Sequence, residues 1–182
     1  WVVREAGAPA PRTAYVRVLV NGTLSGLYLM VENIDSRFAK NNQNLIGDEG
    51  GNIYKETTPL MINGEPFADY VHIAGLRSNT SNPDVSNMLQ FAQDLKAADH
   101  YAIKDVLAEW IDVESVVTSF ALSRALGHKD GPWYWAKNRY TQPSWWYDVG
   151  AQNPAHTNHN YFFYENPITR KFYFMLWDFD HN

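Results

Sequence analysis

Residues 159–182 read HNYFFYENPITRKFYFMLWDFDHN. The two aromatic runs around Asn166-Pro167 predict a β-hairpin that turns at that pair and closes the chain. Its exit carries Asp178 and Asp180, one residue apart. In an extended segment, residues two apart share a face, so both carboxylates would stand side by side while Phe179 anchors the opposite face. Two adjacent like charges raise each other's pKa unless a cation lies between them, and a hard divalent metal is the simplest such cation. An isolated Asp-x-Asp pair also suits ordinary solvated turn residues at a strand end, so its meaning depends on what precedes it.

Working back from the hairpin, residues 131–158 are rich in Trp, Pro, Asn and Gln and show no periodicity, which predicts a long loop. Its Trp145-Trp146-Tyr147 cluster suits either a grip on a peptide or sugar or burial beneath the loop. Before it, Asp112 is placed to cap a helix along which Val113, Val116, Val117, Phe120, Ala121 and Leu126 trace an apolar stripe, with Gly127 as its stop. A short helix is expected around 102–110. Asp84 is placed as the N-cap of another, along which Val85, Met88, Leu89, Ala92 and Leu95 recur at helical spacing. Residues 51–76 read as short strands and turns. Near the start, Tyr15–Val20 and Leu27–Val31 flank Asn21-Gly22, a tight-turn signal for a first hairpin. With no linker and no internal repeat, the fold class is α+β in one domain spanning 1–182.

Within this order Asp130 follows the helix stop by three residues, Asn160 opens the last hairpin and Asp178 closes it. Protein kinases carry their catalytic Asp, metal-binding Asn and metal-binding Asp in the same order.

Composition narrows the chemistry further. The 182 residues are 45% hydrophobic and 15% aromatic, enough for a substantial core. A formal charge of −5 leaves no broad basic face, so general nucleic-acid binding is not expected. Without cysteine there is no disulfide, thiolate metal site or thiol catalysis. No apolar run reaches the roughly 18 residues of a membrane span, and no signal peptide is read. The first residue is Trp1, which suggests a processed product or an excised fragment.

The stretches VRVLVNGTLSGLYLMVENID, GNIYK, IDVESVVTSFALSRALGHKD and HNYFFYENPITRKFYFMLWDFD together resemble the CotH kinases, spore coat protein H-like proteins with an atypical protein-kinase-like fold. The closing Trp-Asp-x-Asp after an aromatic hairpin is the most specific piece. The resemblance implies a kinase-like fold, incomplete at the N-terminus: the small-lobe hairpin, a helical middle, and a C-terminal hairpin bearing the metal motif. It implies ATP- and Mg²⁺-dependent phosphoryl transfer to Ser or Thr of a partner protein at an extracellular, spore or cell surface. By motif, Asp130 matches the catalytic aspartate, Asn160 the asparagine beside the metal, Asp178 the metal-binding aspartate and Asp180 the second acidic position. Glu32 and Asn33 fall where such a fold would contact adenine or ribose. The strands that would cover the phosphates, with their lysine, would precede this chain, which leaves Lys55 as the candidate cation. Asp130 and Asn160 stand thirty positions apart, wider than in ordinary kinases, with the aromatic segment between them.

Two other classes stay open at this level. One is a catalytically silent kinase-like module acting in assembly. The other is a carbohydrate-active or other transferase, with Asp178 and Asp180 as paired carboxylates. The glycine-rich 47–51 lacks a phosphate-loop Lys-Ser/Thr and reads as a turn, while His156 and His159 have no zinc signature around them. Oligomeric state is not legible.

Overall fold

The structure, a computed structural model, describes residues 1–57, 59, 61, 62, 65, 66, 75–128, 131 and 160–179. Asp130, Asp180, His156, His159 and the Trp145-Trp146-Tyr147 cluster lie outside the described residues. In chain order the elements are α1 (Val2–Glu5), β1 (Thr13–Val20), β2 (Thr23–Val31), α2 (Ser36–Asn41), α3 (Gln43–Ile46), β3 (Asn52–Lys55), β4 (Met61–Ile62) and β5 (Glu65–Pro66). There follow α4 (Ser86–Ala97), α5 (Ile103–Trp110), α6 (Val113–Ala125), β6 (Tyr161–Glu165) and β7 (Phe172–Leu176). The mixed α+β class is as expected.

β1 and β2 form an antiparallel hairpin closed by Asn21 and Gly22, with φ of 51° and 81°. Positive φ at both positions is what a two-residue turn of the primed kind requires. Directly paired residues share a face. Tyr15, Leu27 and Leu29 therefore lie on one side, and Val20, Tyr28 and Met30 on the other, all of them exposed.

The centre of the molecule is the antiparallel sheet in the order β3-β6-β7. Ile53, Phe162, Tyr164 and Met175 point to one face, where Ile34, Phe38, Ala39 and Ile46 of the α2–α3 segment cover them. α2 was not foreseen; Asp35 starts it by accepting hydrogen bonds from the N–H groups of Arg37 and Phe38. On the opposite face, Tyr54 and Phe172 pack with Met88 and Phe91 of α4 and Trp110 of α5. Tyr161, Phe174 and Leu176 on that same face meet Val116 and Leu122 of α6. A buried carboxylate stitches these layers together. Glu165 accepts from Tyr54 Oη at 2.9 Å and from Nδ2 of Asn52 and Asn87 at 3.1 and 2.6 Å. Burial first, and then the charge of Glu165, push the Tyr54 hydroxyl far up, which keeps it a donor.

α6 turns a different face inward from the one its apolar pattern predicts. Asp112 caps it through Ser115 N–H, and Gly127 follows it at φ 68°, both as expected. Its buried residues, however, are Ser115, Ser119 and Ser123, while Val113 and Val117 stay exposed. The reason lies in β7, the edge of its sheet. An edge strand presents unpaired backbone groups. Phe174 N–H donates to Ser115 Oγ at 3.2 Å, and Ser119 Oγ donates to Phe174 C=O at 3.3 Å. Asp112 N–H adds a bond to Phe172 C=O at 2.9 Å. Hydrogen bonding to the edge outweighs burial of Val113 and Val117, while Val116 of the stripe still packs against the sheet.

Candidate functional site

Strand register brings three of the residues singled out in the sequence to one end of the β3-β6-β7 sheet. Lys55 pairs with Phe162, and Tyr161 with Leu176, so Lys55 at the exit of β3, Asn160 at the entrance of β6 and Asp178 just past β7 gather there. The next ladder bond runs from Trp177 N–H to Asn160 C=O at 2.9 Å.

At this edge the backbone leaves the extended conformation on all three strands. Glu56, Asn160 and Asp178 have φ of 54°, 63° and 55°. Left-handed backbone is uncommon for residues with a side chain and concentrates at sites where surrounding contacts impose it. The extended path expected through Asp178 is thereby corrected. With φ of 55° the strand alternation ends at this residue, so placing Asp178 and Asp180 on one strand face loses its premise.

Contacts on both sides fix the backbone of Asp178. The Trp177 ring meets Phe162 edge-on, with centroids 5.7 Å apart. His128 Nε2 lies 2.8 Å from Asp178 C=O, and because a carbonyl only accepts, Nε2 carries the hydrogen. The same imidazole stacks on Phe179 at 4.2 Å. A Cβ at Gly131 would stand 2.5 Å from the ring, which explains a glycine there. His128 is buried, whereas Asp178 is exposed. The carboxylate-bearing residue is thus presented to solvent on a backbone clamped from behind.

Asn160 is buried, and its N–H donates to Glu56 Oε1 at 3.1 Å. Lys55 Nζ lies 3.9 Å from that same oxygen. Glu32 and Asn33 stand apart, with bonds to their own neighbourhood. Glu32 accepts from Arg12 Nη2 at 2.6 Å and Asn41 Nδ2 at 3.1 Å, and Asn33 Nδ2 donates to Asp35 at 3.2 Å. The hydrogen bond from the Arg12 side chain, above all, holds the Glu32 carboxyl below its ordinary range.

An exposed carboxylate and a buried amide on a fixed backbone, with a cationic amine nearby, supply hard oxygen donors and a counter-charge for phosphate. Mg²⁺ takes few protein ligands of this kind and completes its shell with water and phosphate oxygens. The donor set fits that ion. Among the described residues no group of three or more His, Asp or Glu converges on a metal position. His128 and Glu56 were missed in the sequence. The first stands two residues before Asp130 and the second next to Lys55, yet neither spacing announces a role in holding the backbone.

The model of one protein family, described as CotH kinase protein, matches residues 2–182. No curated protein matches the chain. With nearly its whole length matched, the chain belongs to the CotH kinase family.

Proposed function

We propose that this chain is an ATP- and Mg²⁺-dependent protein kinase that phosphorylates Ser or Thr on a partner protein at a spore, cell or extracellular surface. The observation that carries the reading is the convergence of Lys55, Asn160 and Asp178 at one end of a buried sheet, with Asp178 clamped by His128. His128 precedes Asp130 by two residues. The segment whose imidazole holds Asp178 thus leads, two residues on in the sequence, to the proposed catalytic aspartate.

Asp178 and Asn160 would hold Mg²⁺, with Asp180 as a further carboxylate. The ion, when bound, neutralises charge on the phosphate oxygens. Lys55 adds a positive charge at the same end. Asp130 orients the acceptor hydroxyl. That oxygen attacks the terminal phosphorus, the bond to the departing diphosphate breaks, and the hydroxyl proton passes to the Asp130 carboxylate. Glu32-Asn33 link β2 to α2, where adenine or ribose would rest. Since Arg12 and Asn41 occupy the Glu32 carboxylate, that contact falls to Asn33 and the backbone.

The β1–β2 hairpin fits a small lobe to which further strands of the family domain would add. Support for this comes from its two apolar, exposed faces.

Incubating the purified chain with ATP, Mg²⁺ and candidate surface proteins, with phosphosites read by mass spectrometry, tests the activity. Asp130→Asn should lower transfer by about 10²–10⁴-fold and leave nucleotide affinity unchanged. Equal rates in wild type and variant would remove Asp130 from catalysis. Nucleotide binding without transfer to any protein would favour a silent assembly module.

A further inference from the structure

We infer that Glu56 is a positioning residue of the proposed metal site: through Asn160 it sets how tightly Mg²⁺ is held with nucleotide. The inference rests on the kinase reading above. It starts from a conformational oddity. Asn and Asp adopt left-handed backbone with some ease because their short polar side chains bond locally, but a glutamate has no such help. Glu56 nevertheless sits at φ 54°, so its surroundings must hold it there.

Two contacts do so. Glu56 N–H donates to Tyr161 C=O at 3.2 Å, which continues the β3–β6 ladder one step past its last paired residues. The side chain then turns back across the sheet end, and its Oε1 accepts the Asn160 N–H at 3.1 Å. The carbonyl of Asn160 in turn takes the Trp177 N–H at 2.9 Å, and Asp178 is the next residue. One carboxylate thus begins a short relay from β3 through Asn160 to the residue before Asp178. Both proposed metal ligands hang on backbone that this relay fixes.

Groups that orient metal ligands from behind typically contribute 10–100-fold to metal affinity. Lys55 Nζ lies 3.9 Å from the same Oε1. With its side chain about one-third exposed, Glu56 is not required to fill the core.

Reach and charge can be separated by substitution. Glu56→Asp keeps the charge and suits left-handed backbone better, but is one methylene too short to meet Asn160 N–H. Glu56→Gln keeps the reach and the acceptor oxygen but loses the charge. Calorimetric titration of a non-hydrolysable ATP analogue across a Mg²⁺ series reads the effect, with thermal unfolding as a check on the fold. The Mg²⁺ concentration for half-maximal nucleotide binding should rise about tenfold or more in Glu56→Asp and stay within about threefold of wild type in Glu56→Gln. Affinity in EDTA should hold in both, and the unfolding midpoint should hold in Glu56→Gln and fall by only a few degrees in Glu56→Asp, which takes the Glu56 acceptor from the Asn160 N–H. A Glu56→Asp variant with wild-type Mg²⁺ dependence overturns the inference, and so does a Glu56→Gln variant impaired as much as Glu56→Asp. Wild-type protein that binds no Mg²⁺-nucleotide overturns the kinase reading itself, a failure visible before any variant is made.

Discussion

The β6–β7 and β1–β2 hairpins are both built from strands that are apolar on both faces, and their surroundings are opposite. Around β6–β7, the α2–α3 segment covers one face and α4, α5 and α6 the other, so that Tyr164, Phe172 and Met175 are fully enclosed. Around β1–β2, Tyr15 is 76% exposed and Leu27 67%. Continuous apolarity in a strand states that cover is needed; the source of the cover is written elsewhere in the chain. A lone two-stranded ribbon is marginal in water. Exposed apolar area on the scale of this hairpin marks a surface made for contact. The closed sheet can therefore hold Glu56, Asn160 and Asp178 in left-handed backbone through tertiary contacts, whereas in the open ribbon Asn21 takes it only within a turn that favours it.

The largest expected effect tests the contrast itself. Phe172→Ala removes a ring packed among Tyr54, Phe91, Trp110 and Phe163 and should cost about 3–5 kcal/mol in urea unfolding. Leu29→Ala, on a residue 53% exposed, should cost no more than about 0.5 kcal/mol. Comparable losses at the two positions would mean that the ribbon is covered in solution.

A middle-sized effect belongs to the edge of the closed sheet. Ser115→Ala takes the acceptor from Phe174 N–H, a buried donor, and should cost about 1–3 kcal/mol, more than an exposed Val117→Ala on the same helix. If Val117→Ala proved the costlier change, the valine stripe rather than the serine face would be the one that packs.

This inverted helix marks the limit of what the sequence discloses. Elements announced by local chemistry were legible: Asn21-Gly22 for a turn, Asp112 for a cap, Gly127 for a stop. So was the gathering of Asn160 and Asp178, because a hairpin brings its own ends together. The face of α6 was not legible, since a periodic pattern weighs valine against serine but does not count the backbone groups of a strand edge arriving nearly sixty residues later in the chain. Nor was the turn at Asp178 or Glu56. Left-handed backbone there is imposed by His128 and by Asn160, contacts between distant parts of the chain that no local spacing encodes.

The smallest effect concerns the joint between the two regions. Glu32, at the end of β2, accepts three hydrogen bonds from Arg12 at the start of β1, and a fourth from Asn41 on α2, whose Phe38 and Ala39 lie in the core. It therefore both closes the ribbon's open end and ties it to the sheet. Its carboxyl is held below the ordinary 4.5, chiefly by the Arg12 side chain. A group whose folded pKa is depressed adds stability that is complete above its unfolded pKa and fades as pH falls through the folded one. Glu32→Gln should accordingly cost up to about 1 kcal/mol at pH 7, the range for an ion pair with an exposed partner. The gap to wild type should stay constant down to about pH 4.5 and close below it. Urea unfolding of both proteins between pH 3 and 7 would show this. A gap that does not narrow at all between pH 4.5 and pH 3 would mean that packing around Glu32, and not its charge, joins the open ribbon to the closed sheet.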